Sequence, residues 1–250
     1  MDCYRMEEYN YEKGLLEVDA TYIIHLEGNG RLPQVEAQLE KYHPSRKVYI
    51  VYNKGYTCKK NINTSRADLV DAFLTTFRHA NKKNYKNVLV LEDDFQFHPD
   101  IKRSSIQEEI NLFINKRKEE NLIYYLGAIP IIRMPGTHSR LLLAGCSHAC
   151  IYTESCRKRA LHDTITDMDK YNNIHFNRYA YYKPLCYQLF PETENSKIWR
   201  SGTGIIMDII IRLLKLDTQV EPGYKITYVF SLLFFYTLLL GVLYIIQRML

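Results

Sequence analysis

Three consecutive carboxylates at the end of an apolar run are the residues of this sequence with the clearest chemical potential. The run Val88–Leu91 leads directly into Glu92, Asp93 and Asp94. Neighbouring carboxylates repel one another and resist burial, so a cluster at the end of a buried strand favours a bound cation. Carboxylate oxygens suit Mg²⁺ or Mn²⁺, and these ions in turn bind a diphosphate. The other interpretation is a solvated acidic turn, which is a common use of these residues.

The elements that must position these acids follow from the pattern of apolar residues. Thr21–Leu26, Lys47–Tyr52 and Asn87–Leu91 have the composition of buried strands. Between them, Leu32–Tyr42 and Ser65–Asn81 read as helices. This alternation predicts βαβ units, and therefore an α/β fold with a largely parallel sheet covered on both faces. Such sheets bind ligands at the carboxyl ends of their strands, which is where the three acids fall.

A charge-free apolar run near the end of the chain, Ile226–Ile246, has the length of the ~20 helical residues that cross a bilayer core. With four residues after it, we expect a single membrane-spanning tail anchor. More basic residues precede the run than follow it, and this predicts a cytosolic position for the large domain. The basic residues in question are Arg212, Lys215 and Lys225 before the run and Arg248 after it.

The remaining elements complete the expected organisation of the chain. They are a helix over Ser104–Glu119, a strand over Leu122–Leu126, a strand-rich stretch over Leu141–Tyr152 and an irregular region over Thr164–Trp199. The expected divisions are an N-terminal extension at 1–19, one domain at 20–203, an amphipathic juxtamembrane segment at 204–225 and the membrane helix at 226–246.

The acidic strand end and its surroundings resemble the family 25 glycosyltransferases. This family includes lipooligosaccharide and collagen galactosyltransferases, and related proteins occur in large DNA viruses. The resemblance rests on Leu91-Glu92-Asp93-Asp94-Phe95 after an apolar strand and a preceding helix over Asp68–Asn81. Tyr22–Leu26 resembles the first strand of the family, although His25 and Glu27 depart from its pattern. Looser similarity at Cys146–Tyr152, Asp167–Asp169, Pro184–Gln188 and Glu194–Trp199 extends the resemblance over about Thr21–Trp199.

The resemblance implies a GT-A fold, a Rossmann-like sheet whose acidic motif holds a divalent ion against the diphosphate of a nucleotide sugar. The implied cofactors are Mn²⁺ or Mg²⁺ and a donor such as a UDP-hexose, and the acceptor is a hydroxyl of a glycan, a protein or a lipid. Glu92 and Asp94 are the expected metal ligands. The residues assigned to donor binding are His25, Glu27, Arg31, Asp68 and Asp93. The first candidate for the catalytic base is Asp169, with Asp167 and His148 as substitutes.

Other functions remain open at the level of sequence. One is a membrane-tethered binding protein with a glycosyltransferase-like fold, degenerate at His25 and Glu27. Another is a metal-dependent phosphatase or nucleotidyltransferase. Cys146, His148 and Cys150 alternate along a predicted strand and raise the possibility of zinc, although buried reduced cysteines more often act as small apolar residues.

The net charge, the cysteines and a glycosylation sequon indicate which partners and which cellular compartment to expect. The net charge of +5 is modest, and the basic residues are interleaved with acidic ones along the chain. Both features argue against nucleic acid as the main partner. Met1–Asp19 is not a hydrophobic leader, so we expect all six cysteines to be reduced. Asn63-Thr64-Ser65 is a glycosylation sequon, and a glycan there would contradict the cytosolic assignment.

Overall fold

The computed structural model describes residues 2–188, 209, 211–216 and 218–249. The strands are β1 (Tyr4–Asn10), β2 (Ala20–Leu26), β3 (Lys47–Asn53), β4 (Asn87–Glu92), β5 (Phe95–Phe97), β6 (Leu122–Arg133), β7 (His138–Thr153), β8 (Asn177–Tyr181) and β9 (Cys186–Gln188). The helices are α1 (Leu32–Tyr42), α2 (Ser65–Lys82), α3 (Ser104–Lys116), α4 (Glu154–His162), α5 (Met168–His175) and α6 (Gly223–Met249). Residues 189–208, which include the end of the predicted irregular region and the start of the juxtamembrane segment, lie outside the described residues.

Seven strands form one sheet in the order β1-β3-β2-β4-β7-β6-β8, and β5 pairs with β9 in a separate two-stranded sheet. The strand β2 is parallel to both β3 and β4, as the βαβ pattern predicted. Strand β8 is parallel to β6, whereas β1 and β7 run antiparallel to their neighbours. The fold is therefore a mixed α/β fold whose parallel part is centred on β2.

Helices cover both faces of the sheet, and alternate residues of each central strand face opposite cores. In β2, Ile23 packs in one core with Val35 of α1 and Ile110 of α3. Its neighbour Tyr22 packs in the other core with Phe73 of α2. Strands buried on both sides must be apolar throughout, which explains why they appear in the sequence as continuous apolar runs.

The N-terminal segment belongs to the main sheet. Strand β1 pairs with β3 at the sheet edge, and Leu16 and Val18 are buried in a core. A disulfide joins Cys3, just before β1, to Cys58 in the 3₁₀ turn after β3. The prediction of reduced thiols is therefore wrong for this pair, which is brought together by strand pairing across 55 residues. The other four cysteines, Cys146, Cys150, Cys156 and Cys186, are free and buried.

Breaking this disulfide is expected to destabilise the domain. Closing a loop of 55 residues restricts the unfolded chain, which typically stabilises a protein by about 2–4 kcal/mol. We expect the Cys3→Ser, Cys58→Ser double variant to lose about this much free energy of unfolding, measured by urea denaturation. A reductant should lower the wild-type midpoint to that of the double variant and leave the variant unchanged. Equal midpoints for the wild type and the variant without reductant would contradict the expectation.

The C-terminal helix α6 is long and apolar enough to cross a membrane, and it is the one helix of the described residues that meets this test. It begins three residues before the predicted span. Tyr224, Thr227, Tyr228 and Ser231 are buried and recur every three to four residues, so one side of its first two turns packs on the domain. From Leu232 onward most of the helix is exposed. This exposed part is roughly 18 residues, or about 27 Å, close to the thickness of a bilayer core.

Candidate functional site

The three acids lie at the carboxyl ends of the parallel strands. Glu92 ends β4 and is paired in register with Ile24 of β2. Asp93 and Asp94 form the turn to β5, and Phe95 of β5 pairs with Gln188 of β9. The loop after β2 and the strand β9 therefore meet the acidic turn from two sides.

Both carboxylate oxygens of Asp93 have partners at the end of β2 and in the loop that leads to α1. Its Oδ2 accepts hydrogen bonds from the backbone N of Leu26 at 3.1 Å and from Nδ2 of Asn29 at 2.6 Å. Nδ1 of His25 lies 2.9 Å from the same oxygen, and Nη1 of Arg31 donates to Oδ1 at 2.8 Å. Burial alone would raise the pKa of Asp93, but the His25 hydrogen bond and the Arg31 charge lower it. The contacts of Asp93 thus hold the loop to the sheet end.

Asp94 is buried but only half satisfied. Its Oδ2 receives Nη1 of Arg31 at 3.3 Å and Nε2 of Gln188 at 3.1 Å. Its Oδ1 is buried and has no hydrogen-bond partner. Burial raises the pKa of Asp94 to about 6, with Arg31 opposing that rise. A buried carboxylate oxygen without a partner is costly, so a ligand that donates a hydrogen bond or carries positive charge would be stabilised there.

Glu92 and Asp169 face the same acidic region. Burial and then the charges of Asp94 and Asp169 raise the pKa of Glu92 well above its usual value. Asp169, in the first turn of α5, accepts hydrogen bonds from the backbone N of Cys146 at 2.9 Å and of Ser147 at 3.0 Å. The Ser147 hydroxyl also donates to it. Burial raises the pKa of Asp169, so of the three predicted bases this one combines proximity to Glu92 with increased basicity.

The two substitute bases occupy different surroundings. Asp167 caps α5 by accepting a hydrogen bond from the backbone N of Lys170 at 2.9 Å, and it lies 3.5 Å from Nε of Arg66. His148 is fully buried, with its ring nitrogens 2.8 Å from the carbonyl of Cys146 and 3.4 Å from that of Cys186. Burial lowers the pKa of His148 to about 4. Both ring nitrogens thus contact carbonyl groups of the protein. His148 is therefore poorly suited to accept a proton from a substrate.

Two residues assigned to donor binding lie away from the acidic turn. Glu27 is exposed in the turn after β2, where its backbone N donates to the carbonyl of Asn53 at 2.9 Å. Asp68 is buried in α2. It accepts a hydrogen bond from Nδ2 of Asn53 at 2.7 Å and forms an ion pair with Lys59. Lys59 also pairs with Asp71. Asp68 is therefore part of an ion cluster beneath the N-terminal strand.

Tyr224 of the C-terminal helix reaches this site through Gln188. The backbone N of Gln188 donates to the Tyr224 hydroxyl at 3.0 Å, and that hydroxyl donates to the Gln188 carbonyl at 3.1 Å. The side chain of Gln188 then binds Asp94. Sequence reasoning missed Asn29 and Tyr224, and Gln188 entered it only through the family resemblance, because such contacts join distant segments without a local pattern.

The raised pKa of Asp94 predicts a pH-dependent loss of stability. A carboxyl whose pKa rises from 3.8 to about 6 on folding stabilises the folded state at low pH, and this contribution disappears as pH rises through about 6. At pH 7 the ionised group costs up to about 3 kcal/mol, at 1.36 kcal/mol per unit. We expect Asp94→Asn to raise the free energy of unfolding at pH 7 by about 1–3 kcal/mol, in chelator, with no gain near pH 4. Urea unfolding at both pH values measures this, and an equal effect at both would contradict it.

The donor set bears on metal binding. Among the described residues, no group of three or more His, Cys, Asp or Glu side chains is placed to hold a metal ion. This gives no support to zinc at Cys146, His148 and Cys150. Mg²⁺-type ions often use only one or two protein carboxylates together with substrate phosphates. The unpartnered Oδ1 of Asp94 and the neighbouring Glu92 fit such a site.

The fold and site together define a mixed α/β protein with a buried acidic strand end and an apolar C-terminal helix. No protein-family model matches the chain. No curated protein matches it either. Among solved structures, the chain is similar to a glycosyltransferase involved in the glycosylation of the major capsid of PBCV-1, with 11% sequence identity and a TM-score of 0.39. That similarity covers 66% of this chain and 82% of the other. Similarity at this level does not by itself assign an activity.

Proposed function

We propose that the protein is a membrane-anchored glycosyltransferase that transfers a hexose from a nucleotide sugar to an acceptor hydroxyl. The observation that carries this proposal is the buried Oδ1 of Asp94, which has no partner at the carboxyl end of the parallel strands. A ligand that supplies positive charge there would remove the cost of that burial. The resemblance of the Glu92-Asp93-Asp94 turn to family 25 enzymes supports a nucleotide-sugar donor.

The roles of the residues follow from their surroundings. Asp94 and Glu92 would hold Mn²⁺ or Mg²⁺, which when bound supplies charge that stabilises the departing nucleoside diphosphate. Arg31 brings a guanidinium to the same turn, and Asp93 keeps its loop in place. Asp169 accepts the proton of the acceptor hydroxyl. The acceptor oxygen then bonds to the anomeric carbon as the bond from that carbon to the diphosphate oxygen breaks.

The proposed membrane anchor is the exposed part of α6, and we further propose that the rest of the protein lies in the cytosol. The basic residues before the helix support this orientation. The Cys3–Cys58 disulfide is the observation against it, because disulfides are rare in the cytosol. Asn63 is exposed before α2, so glycosylation of its sequon tests on which side of the membrane the domain lies. We expect no glycosidase-sensitive mass on the full chain expressed in eukaryotic cells. A mass shift that disappears in Asn63→Gln and persists in Asn61→Gln would overturn the cytosolic orientation.

The activity is tested with the full chain in detergent and a panel of nucleotide sugars. Product nucleotide is measured with Mn²⁺, with Mg²⁺ and with a chelator. The proposal expects release from at least one donor that depends on the metal. Phosphatase activity without sugar release, lost in Asp93→Ala, would favour a phosphatase instead.

A second candidate is a membrane-tethered binding protein that has lost catalysis. The observation that favours it is Arg31, whose Nη1 lies 2.8 Å from Asp93 and 3.3 Å from Asp94 and already supplies positive charge. In that case the ion pairs of Arg31 with Asp93 and Asp94 have a structural role, and the acidic turn binds no metal ion. A wild-type chain that neither binds nor hydrolyses any donor, with or without metal, would support this candidate over the enzyme.

A further inference from the structure

The hairpin formed by β6 and β7 exposes apolar side chains beside the base of α6. Ile131 is 40% exposed on β6, and Leu142 and Leu143 are 43% and 39% exposed on β7. The two strands are paired there, with Ile132 opposite Leu143. Successive side chains of a strand point to opposite faces, so Leu143 lies on the side of Ile132 and Leu142 on the side of Ile131. Exposed apolar residues that lie together, such as Ile131 and Leu142, mark a contact surface more often than isolated ones do.

This hairpin is continuous with the packing of the C-terminal helix. Ile129 of β6 packs in a cluster with Tyr224 of α6. Farther along the strand, Nη2 of Arg133 donates to the carbonyl of Tyr228 at 2.9 Å, and its guanidinium lies over the Tyr228 ring. Ile131 lies between these two contacts along the strand. It therefore lies close to the point where α6 becomes exposed.

The segment before α6 adds to the same apolar region. Ile211 and Leu216 pack in the cluster with Ile129 and Tyr224, which places this segment beside β6. In the same segment, Leu213 is 77% exposed. One side of the segment thus faces the domain while another apolar residue faces outward, as in helices that lie along a membrane surface.

Basic side chains accompany these apolar residues. Arg140 is exposed on the β7 side of the hairpin, and Arg212 and Lys215 are exposed in the segment before α6. Lys225 follows in the first turn of α6, where it pairs with Glu221. Apolar contacts next to several cationic groups suit an anionic lipid surface.

We propose that the surface formed by Ile131, Leu142 and Leu213, here called the hairpin surface, lies against the headgroup region of an anionic bilayer. The inference rests on the proposed anchoring of α6, which holds the domain at the membrane. The added claim is that the domain lies on the bilayer on this side, so that its orientation is fixed by two contacts and not by the helix alone.

The experiment places a fluorophore at single introduced cysteines in the full chain, reconstituted in vesicles of phosphatidylcholine and phosphatidylserine. Leu142→Cys reports on the hairpin surface and Leu240→Cys on the middle of the span. Asn10→Cys, exposed on β1 at the opposite edge of the sheet, is the matched control. The wild-type chain measures any labelling of its buried native thiols. Lipids carrying quenchers at the headgroup or deep in the acyl chains report the depth of each label.

The proposal expects headgroup quenching of the Leu142 label at least about twofold stronger than that of the Asn10 label, and weaker in vesicles without phosphatidylserine. Deep quenching at Leu240 reports the anchor independently. If the Leu240 label is quenched and the Leu142 label matches Asn10, the hairpin contact is overturned while the anchor stands. If neither label is quenched, the anchor fails and the hairpin inference fails with it.

Discussion

Replacing Asp94 by alanine is expected to lower the rate of sugar release by at least about 100-fold while the protein stays folded. The substitution removes the buried oxygen that has no partner in the protein, and with it the group best placed to hold a charged ligand. It also removes a buried carboxylate whose pKa is raised to about 6. The lost contacts from Arg31 and Gln188 oppose the gain in stability from removing this carboxylate, so the folding of the variant is checked by urea denaturation. The rate is measured by nucleotide release with the donor that the wild type uses.

The matched control is Glu119→Ala, an exposed carboxylate in the turn after α3 without a hydrogen bond or ion pair among the described residues. It changes the net charge by the same amount and should leave the rate unchanged. Asp94→Asn, which keeps the shape of the side chain, should lose activity to a similar degree. Near wild-type activity in Asp94→Ala would exclude Asp94 from the reaction.

Ending the chain before α6 is expected to destabilise the domain strongly, whereas ending it after the docked turns is not. Tyr224 is fully buried and packs with Tyr187, and Tyr228 is 3% exposed. Removing buried aromatic residues of this kind costs about 3–5 kcal/mol each at most. The buried guanidinium of Arg133 would also lose its carbonyl partner. We expect residues 1–222 to unfold at least about 3 kcal/mol more easily than residues 1–231, measured by urea denaturation.

Tyr224→Phe in residues 1–231 is the graded control. It keeps the packing and removes the two hydrogen bonds to Gln188, so a loss of about 1–2 kcal/mol is expected. Equal stability of the two truncated chains would show that the first turns of α6 are not part of the domain. The practical consequence is that a soluble fragment for enzymology should extend to Ser231.

The central strands and first helices follow from the sequence because each has a strong local signal. The continuous apolar runs of β2, β3 and β4 are what a strand buried on both faces requires, and α1 has the bounds that its apolar spacing predicts. Strand β1 was not predicted because its polar sequence, with Glu7 and Glu8, lacks an apolar run. It forms an edge strand with one neighbour, where burial is incomplete.

The acidic turn was found from the sequence, but the different states of its acids were not. Asp93 is held by the loop of Asn29 and Arg31, whereas Asp94 keeps one oxygen without a partner. This difference depends on where the loop after β2 folds back. The contact from Gln188 to Asp94 spans 94 residues and depends on the pairing of β5 with β9. The Tyr224 contact likewise depends on where α6 docks. No local spacing rule records these long-range contacts.

The most direct test of the acidic site is calorimetric titration of Mn²⁺ into the full chain, with and without a nucleoside diphosphate. The wild type is expected to bind one ion per chain, more tightly when the diphosphate is present, because phosphate oxygens complete a site with few protein ligands. Asp94→Ala should lose this binding and Glu119→Ala should keep it. Absence of binding to the wild type, or identical binding by Asp94→Ala, would contradict a metal-dependent transferase built on this strand end.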